Sequence, residues 1–393
     1  PSIVVLPFDN MSGDKEQEYF ADGITEDIIT DISKVSGLFV IARNSSFVYK
    51  GKAVNLTEVG RQLGVRHVLE GSVRKAGNRV RITAQLIDAA SGGHLWAERY
   101  DRALDDIFAV QDEVTREIVK ALRVKLSGED KARLGAHPTD NLEAYDLYVR
   151  GRELVWLVAR ETNFEARQLF ENAIALDERF TDAIALLGFT YIHDFVNGWT
   201  DLSAVALDTA RELAQRAIDL DPSRPYPHLV MAGVHLWKRD LDEALASVAR
   251  CQALGASSSH ASGTHALILH YAGRFAEAIE VINQAIRLDP LVPELFLHTL
   301  AQCHFALGDD QEAANVLHRR IARNPNTDIS RVLLAAALGH LGRHEEARDE
   351  WARARAINPR YSLRQKRAIL PYREPAMMDR MAEGLAKAGI DPD

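Results

Sequence analysis

Residues 273–290 (GRFAEAIEVINQAIRLDP), 308–325 (GDDQEAANVLHRRIARNP) and 342–359 (GRHEEARDEWARARAINP) are three versions of one motif, and the motif decides the architecture. The small residue after its acidic turn recurs at Ala166, Ala210, Ala244, Ala278, Ala313 and Ala347, with spacings of 44, 34, 34, 35 and 34. The closing proline recurs at Pro222, Pro290, Pro325 and Pro359. Each unit reads as two amphipathic helices that cannot bury their apolar faces alone, so stacked units produce one continuous core. Alanine marks close helix approach. Proline, after Asp or Asn, ends the second helix because it lacks an amide hydrogen.

Working toward the amino terminus, the period changes. Residues 3–8 and 38–42 are apolar runs of strand length, separated by a helical pattern over 25–35. A short helix over 56–63 precedes strands over 68–74 and 80–87, joined by a turn at Ala76-Gly77-Asn78. In residues 79–88 (RVRITAQLID), Arg79, Arg81, Thr83 and Gln85 alternate with Val80, Ile82, Ala84 and Leu86, the two-residue period of a half-buried hairpin strand. A strand over 94–100 leads into a helix from Leu104 to about Leu126. The order predicts an α/β domain with a mixed sheet over 1–127, a linker over 128–140, about six helix pairs over 141–360 and a capping segment over 361–393.

The repeats resemble the tetratricopeptide repeat family, with Leu187, Gly188 and Tyr191 marking a first helix. Glu178 and Ala256 stand where that family has proline, and the second unit carries a ten-residue insertion around 197–203. Residues 2–33, 38–54, 59–101 and 106–115 resemble the TolB-like amino-terminal module, and 370–390 (LPYREPAMMDRMAEGLAKAGI) is similar to the closing segment of bacterial class III adenylate/guanylate cyclase-like proteins that combine both parts. The resemblance implies a TolB N-terminal-like domain followed by a tetratricopeptide-repeat superhelix. It also implies a non-catalytic region that relays a protein or small-ligand signal to an upstream cyclase domain, acting through a homodimer arrangement. The chain opens on Pro1 inside a strand-like run, as expected of a piece cut from a longer protein. The alternative is the sensory region of a CadC-like winged-helix transcription activator.

The 393 residues carry 47 basic against 56 acidic side chains, a net charge of -9. The split near residue 126 is 17 against 18 before and 30 against 38 after, so the acidity belongs to the repeats and nucleic acid is a poor partner for them. Cys251 and Cys303 stand alone inside helical patterns, which predicts core thiols in a reducing, cytoplasmic compartment. No apolar run approaches membrane-spanning length.

Three features are candidate sites. Residues 19–28 (YFADGITEDI) place Asp22, Glu26 and Asp27 around a glycine; Asp22 or Thr25 capping a helix is the favoured reading, against a metal or acid–base site. No strand-borne aspartate pair or phosphate-binding loop accompanies them, and His340 and His344 are split by Gly342, so no catalytic residue, cofactor or metal is assigned. Superposing the repeats puts His193, Trp237, Tyr271, Phe305 and His340 at one position near the end of each first helix, with His270 and His304 just before two of them. Such a ladder suits a protein or peptide partner lying in the repeat groove, or rings packed between helices. Arg66, Arg74, Lys75, Arg79 and Arg81 on the hairpin form a candidate anionic-ligand patch, or a solvated strand face.

Overall fold

The computed structural model describes residues 1–35, 37–124, 126–128, 130, 138–200, 203–255, 259–291 and 294–393. Its first element is β1 (Ser2–Val5), whose neighbouring residues point to opposite faces. Ile3 and Val5 enter one apolar cluster, Val4 and Leu6 another. A strand covered on both sides needs this unbroken apolar run. β1 lies parallel to β3 (Phe39–Val40) on one side and to β4 (His67–Ala76) on the other. β4 continues antiparallel into β5 (Arg79–Asp88), and β5 into β6 (Gly93–Ala103). A two-residue strand, β2 (Asp9–Asn10), pairs in parallel with the far half of β4. The sheet is mixed, as the alternation predicted, with order β3-β1-β4-β5-β6. Gly77 turns the hairpin at φ 56°, a conformation in which a side chain would be strained.

Four helices among the described residues complete this layer. On one face lie α1 (Glu18–Ser33) and α4 (Ile107–Ala121), which bring Ile24, Ile28, Ile32, Val110, Val114 and Ile118 onto Val80, Ile82 and Leu86. The other face takes α3 (Leu56–Leu63), capped by the Asn55 side chain on the amides of Thr57 and Glu58. The helix expected over 25–35 begins seven residues earlier. Gly23 sits mid-helix because the first repeat needs the space: a Cβ there would lie 2.6 Å from Val149 Cγ1. The helix expected to run to about residue 126 ends at Ala121, and a short helix, α2 (Arg43–Phe47), was not anticipated.

Six helix pairs follow among the described residues: Leu142–Val155 with Arg160–Leu176, Thr181–Asn197 with Ser203–Leu220, Pro225–Trp237 with Leu241–Ala253, Ser259–Tyr271 with Phe275–Leu288, Glu294–Ala306 with Asp310–Arg323, and Asp328–His340 with His344–Ile357. All six motif alanines are fully buried, which places them at the helix contacts. Gly273, Gly308 and Gly342 turn the chain between partners at positive φ, and Arg239 takes the same conformation one period earlier with a side chain attached. Most of the expected linker, residues 129 and 131–137, lies outside the described residues, as do Ala256 and residues 201–202 of the insertion.

The chain forms two compact units, one of Pro1–Val234, Ser247–Ala261 and Leu288–Leu291, the other of His235–Ala246, Ser262–Arg287 and Val292–Asp393. The α/β layer and the first repeats therefore share a unit. Leu288–Leu291 joins it through backbone and side chain: the Ala42 amide donates to the Leu288 carbonyl at 2.7 Å and the Ser45 hydroxyl to the buried Asp289 carboxylate. In the second unit, Leu363–Ile369 and Ala376–Lys387 follow the last repeat, and Met377, Met378, Met381 and Leu385 enter the core formed by Leu333, Leu334 and Leu338. Backbones touch here, since a Cβ on Gly384 would stand 2.4 Å from the Ala336 carbonyl oxygen. Gly384→Val is expected to lower the unfolding free energy by about 1–3 kcal/mol through overpacking, measured by urea denaturation, while Glu383→Ala on the same helix has little effect.

Candidate functional site

The acidic stretch of α1 does not cap a helix. Asp22, Glu26 and Asp27 lie one to three turns inside it, and each faces a cation contributed from elsewhere in the first unit. Lys50 donates to Asp22; Arg43 Nε stands 2.8 Å from Glu26 Oε2; Arg152, from the first repeat helix, reaches Glu26 Oε1 at 3.4 Å and Asp27 Oδ1 at 3.1 Å. Tyr145 donates to Asp27 and Arg43 to Glu153. Burial pushes the Asp22 carboxyl up to about 6 against the pull of Lys50. For Glu26 burial acts in the same direction, but Arg152 and Arg43 outweigh it and hold the carboxyl below its usual range. At Asp27 burial prevails over Arg152 and Tyr145, and the carboxyl is raised. Among the described residues no three His, Cys, Asp or Glu side chains converge as a metal site would require. The partners Lys50, Arg43 and Arg152 were missed because they are remote in sequence, Arg152 by 125 residues from Asp27.

The ring ladder is divided. His193, in the first unit, is buried edge-on against Phe189 at 5.0 Å, and burial lowers its imidazole to about 4. In the second unit Trp237 tilts toward Tyr271 at 6.3 Å, and His270, Tyr271, Phe305 and His340 are met by the carboxy-terminal segment. Tyr372 places its hydroxyl 2.9 Å from His270 Nε2 and its ring 4.8 Å from that of Tyr271, whose carbonyl accepts from the Arg373 amide. Arg380 donates to the Phe305 carbonyl at 2.8 Å, lies over the Phe305 ring and forms a two-toothed pair with Asp310. His340 Nε2 donates to the Arg380 carbonyl. His304 pairs with Asp309 across its turn. The segment thus fills the ladder face, an outcome the sequence left open. Burying Met377, Met378, Met381, Leu385 and Ile390 is worth on the order of 10 kcal/mol, at roughly 1.5–3 kcal/mol for each side chain.

The hairpin residues do not form one patch. Arg74 and Arg81 are register partners on the face that also carries Arg79, whereas Lys75 turns to the other face over the Phe20 ring and Arg66 sits at the opposite end, 3.0 Å from Asp88. Arg81 is paired with Asp101 at 2.6 Å, and Arg74 donates to the Met11 carbonyl. Both cysteines are buried thiols, and burial raises each to about 12, so neither is a ready nucleophile. No helix among the described residues is long and apolar enough to cross a membrane.

The tetratricopeptide repeat family matches residues 269–335, and the chain carries repeats of that kind. Over 244 residues, 62% of this chain, it is 57% identical to the protein named "Putative adenylate cyclase 3" of Rhizobium meliloti (strain 1021), a match spanning 42% of that protein. Over 239 residues, 58% of this chain, it is 21% identical to "Tetratricopeptide repeat protein 21A" of Homo sapiens, spanning 17% of it. The chain thus spans less than half the length of these curated relatives. Among solved structures it is similar to a thermophilic TPR protein of Thermus thermophilus, at 17% identity and TM-score 0.40, covering 50% of this chain and 98% of that one. It is also similar to the APC/C hetero-tetramer Cut9-Hcn1, at 16% identity and TM-score 0.46, covering 72% and 54%.

Two outcomes follow from the buried charges. Arg152→Met leaves Glu26 and Asp27 without their shared cation and is expected to cost about 3–5 kcal/mol, with much of the loss recovered when Glu26→Gln and Asp27→Asn are added; chemical denaturation reads both. Burial lowers the His270 imidazole from 6.5 to about 3. As pH falls below 6.5 the unfolded chain takes a proton that the folded one refuses, so stability present at neutral pH is lost, by about 2 kcal/mol at pH 5. His270→Gln should flatten that slope by one proton in a pH series of denaturation curves.

Proposed function

We propose that this chain is the regulatory, protein-interaction region of an adenylate/guanylate cyclase-like signalling protein. In this reading a TolB-like α/β domain and the tetratricopeptide repeats couple the binding of a partner or ligand to a catalytic domain elsewhere in the parent chain. The observation that carries it is the 57% identity over 244 residues to a relative named as an adenylate cyclase, most of whose length lies outside the match. A structural rather than catalytic role for the acidic stretch is supported by Asp22, Glu26 and Asp27 each being engaged by a cation of the same unit.

A protein partner of the second unit meets the ladder rings only by displacing the carboxy-terminal segment, at a cost that would consume most of a tight binding free energy. The groove residues His270, Tyr271, Phe305 and His340 therefore act within the chain. Partner contacts belong to the outer repeat surfaces and to the hairpin face of Arg74, Arg79 and Arg81, and the parent works in the cytoplasm as a homodimer.

Two assays test the reading. Residues 1–393 alone should form neither cyclic AMP nor cyclic GMP from magnesium ATP or GTP. Deleting them from the parent should change its cyclase rate by about fivefold or more, the lower end of usual coupling free energies. Turnover by the isolated chain would contradict the non-catalytic assignment, and an unchanged parent rate would contradict the coupling.

A further inference from the structure

The first unit contains a cavity of about 140 Å³ that none of the readings above uses. One wall is a single stripe of α1, with Glu26, Ile29, Thr30, Ser33 and Lys34 following the helical spacing of three and four residues. The facing walls carry Trp156, Tyr226 and His260. Trp156 and His260 are stacked at 3.8 Å with their planes 24° apart, so the cavity is bordered by flat surfaces. A single water needs only about 10–15 Å³, whereas an apolar cavity of about 150 Å³ accepts a benzene ring. The space therefore matches one six-membered ring.

Charges around it are already matched. Arg43 is held by Glu26 and Glu153, Arg224 by Asp182 at 2.5 Å, and Lys34 by Asp31 at 2.7 Å. A charged ligand would lose its hydration and, among the described lining residues, meet no unpaired counter-charge. Hydrogen-bonding groups, by contrast, are at hand. His260 is kept neutral, since burial lowers it to about 4, and a neutral imidazole offers one donor and one acceptor. A second pocket of about 60 Å³ shares Thr30, Lys34, Asp182, Arg224 and Tyr226 with the first, and it is lined by Arg152, a buried side chain whose Nη2 has no hydrogen-bond partner. That orphan donor calls for an acceptor.

We propose that this cavity is a binding site for a small, uncharged, single-ring aromatic molecule bearing a hydrogen-bonding substituent, its ring laid among Trp156, Tyr226 and Ile29 and its acceptor turned toward His260 or Arg152. The site stands on the geometry of the first unit alone and is independent of the cyclase assignment.

Benzamide is a suitable probe, with benzoate and benzylammonium as controls of the same size and opposite charge. Titrated into the full chain and followed by thermal shift and by ligand-observed NMR, benzamide should bind saturably with a Kd on the order of 1 mM or tighter, as its size allows, and the two charged controls at least about tenfold more weakly. Ile29→Phe, which fills the cavity, should abolish binding without lowering the melting temperature. Ala42→Leu, at another lining residue, should weaken binding and serves should the first variant fold poorly. Absence of saturable benzamide binding would overturn the proposal, as would equal binding of the charged controls, or binding that survives in a folded cavity-filling variant; in those cases the space holds water only.

Discussion

Arg152 is the side chain on which the first unit depends. It rises from the first repeat helix into the face of α1, is all but sealed from solvent, and answers two carboxylates of the same helix, Glu26 and Asp27. Placing three ionised groups in a low-dielectric interior is costly unless each is paired, so the arrangement tolerates one geometry and penalises every other. This is why α1 and the helix over Leu142–Val155 meet at a fixed register, with Gly23 receiving Val149 and Tyr145 standing edge-on to Phe108 of α4. An apolar contact would have allowed the helices to slide; the ion pairs do not. The sheet layer and the start of the repeats consequently form one body.

The second unit solves a related problem mainly with apolar side chains. A stack of helix pairs ends in an apolar face that must be covered. Here Ala376–Lys387 covers it, at a place where glycines on both helices, Gly339 and Gly384, let the backbones touch. The methionines of this helix fill the irregular space between Leu333, Leu334 and Leu338, a task suited to their unbranched, adaptable side chains. Charged and aromatic contacts at the rim, Arg380 on Asp310 and Tyr372 on His270, then fix where along the repeats the segment lies. Apolar area supplies the stability, and the rim supplies the register.

Much of this was legible in the residues. The 34-residue period located the helix pairs because each pair must bury the same face, and the alternation of residues 79–88 located a hairpin because only a strand puts every second side chain inside. What escaped was non-local. Local rules treat Asp22 or Thr25 as a helix cap, since both residue types favour that position; the close approach of Val149 to Gly23 places both inside the helix instead. The cations that answer Asp22, Glu26 and Asp27 come from three separate elements, and no spacing rule connects them. The same holds for Tyr372, whose place against His270 is set by a chain reversal about a hundred residues long. Hairpin charge was also overcounted, because a sequence list of arginines carries no sheet face, and Lys75 and Arg66 leave the group once the pleat and the strand ends are considered.

These features bear on how such a region could transmit a signal. Coupling between sites requires an element with two arrangements of similar free energy, each favoured by a different ligand state. A densely packed, fully paired interface is a poor candidate, since every alternative leaves a buried charge or a void. One place where the first unit departs from that condition is the cavity that adjoins the Arg152 cluster, where one guanidinium donor lacks its acceptor. A guest there would touch α1 on one side and repeat residues on the other. It would be positioned to bias the same contacts that hold the sheet layer to the repeats.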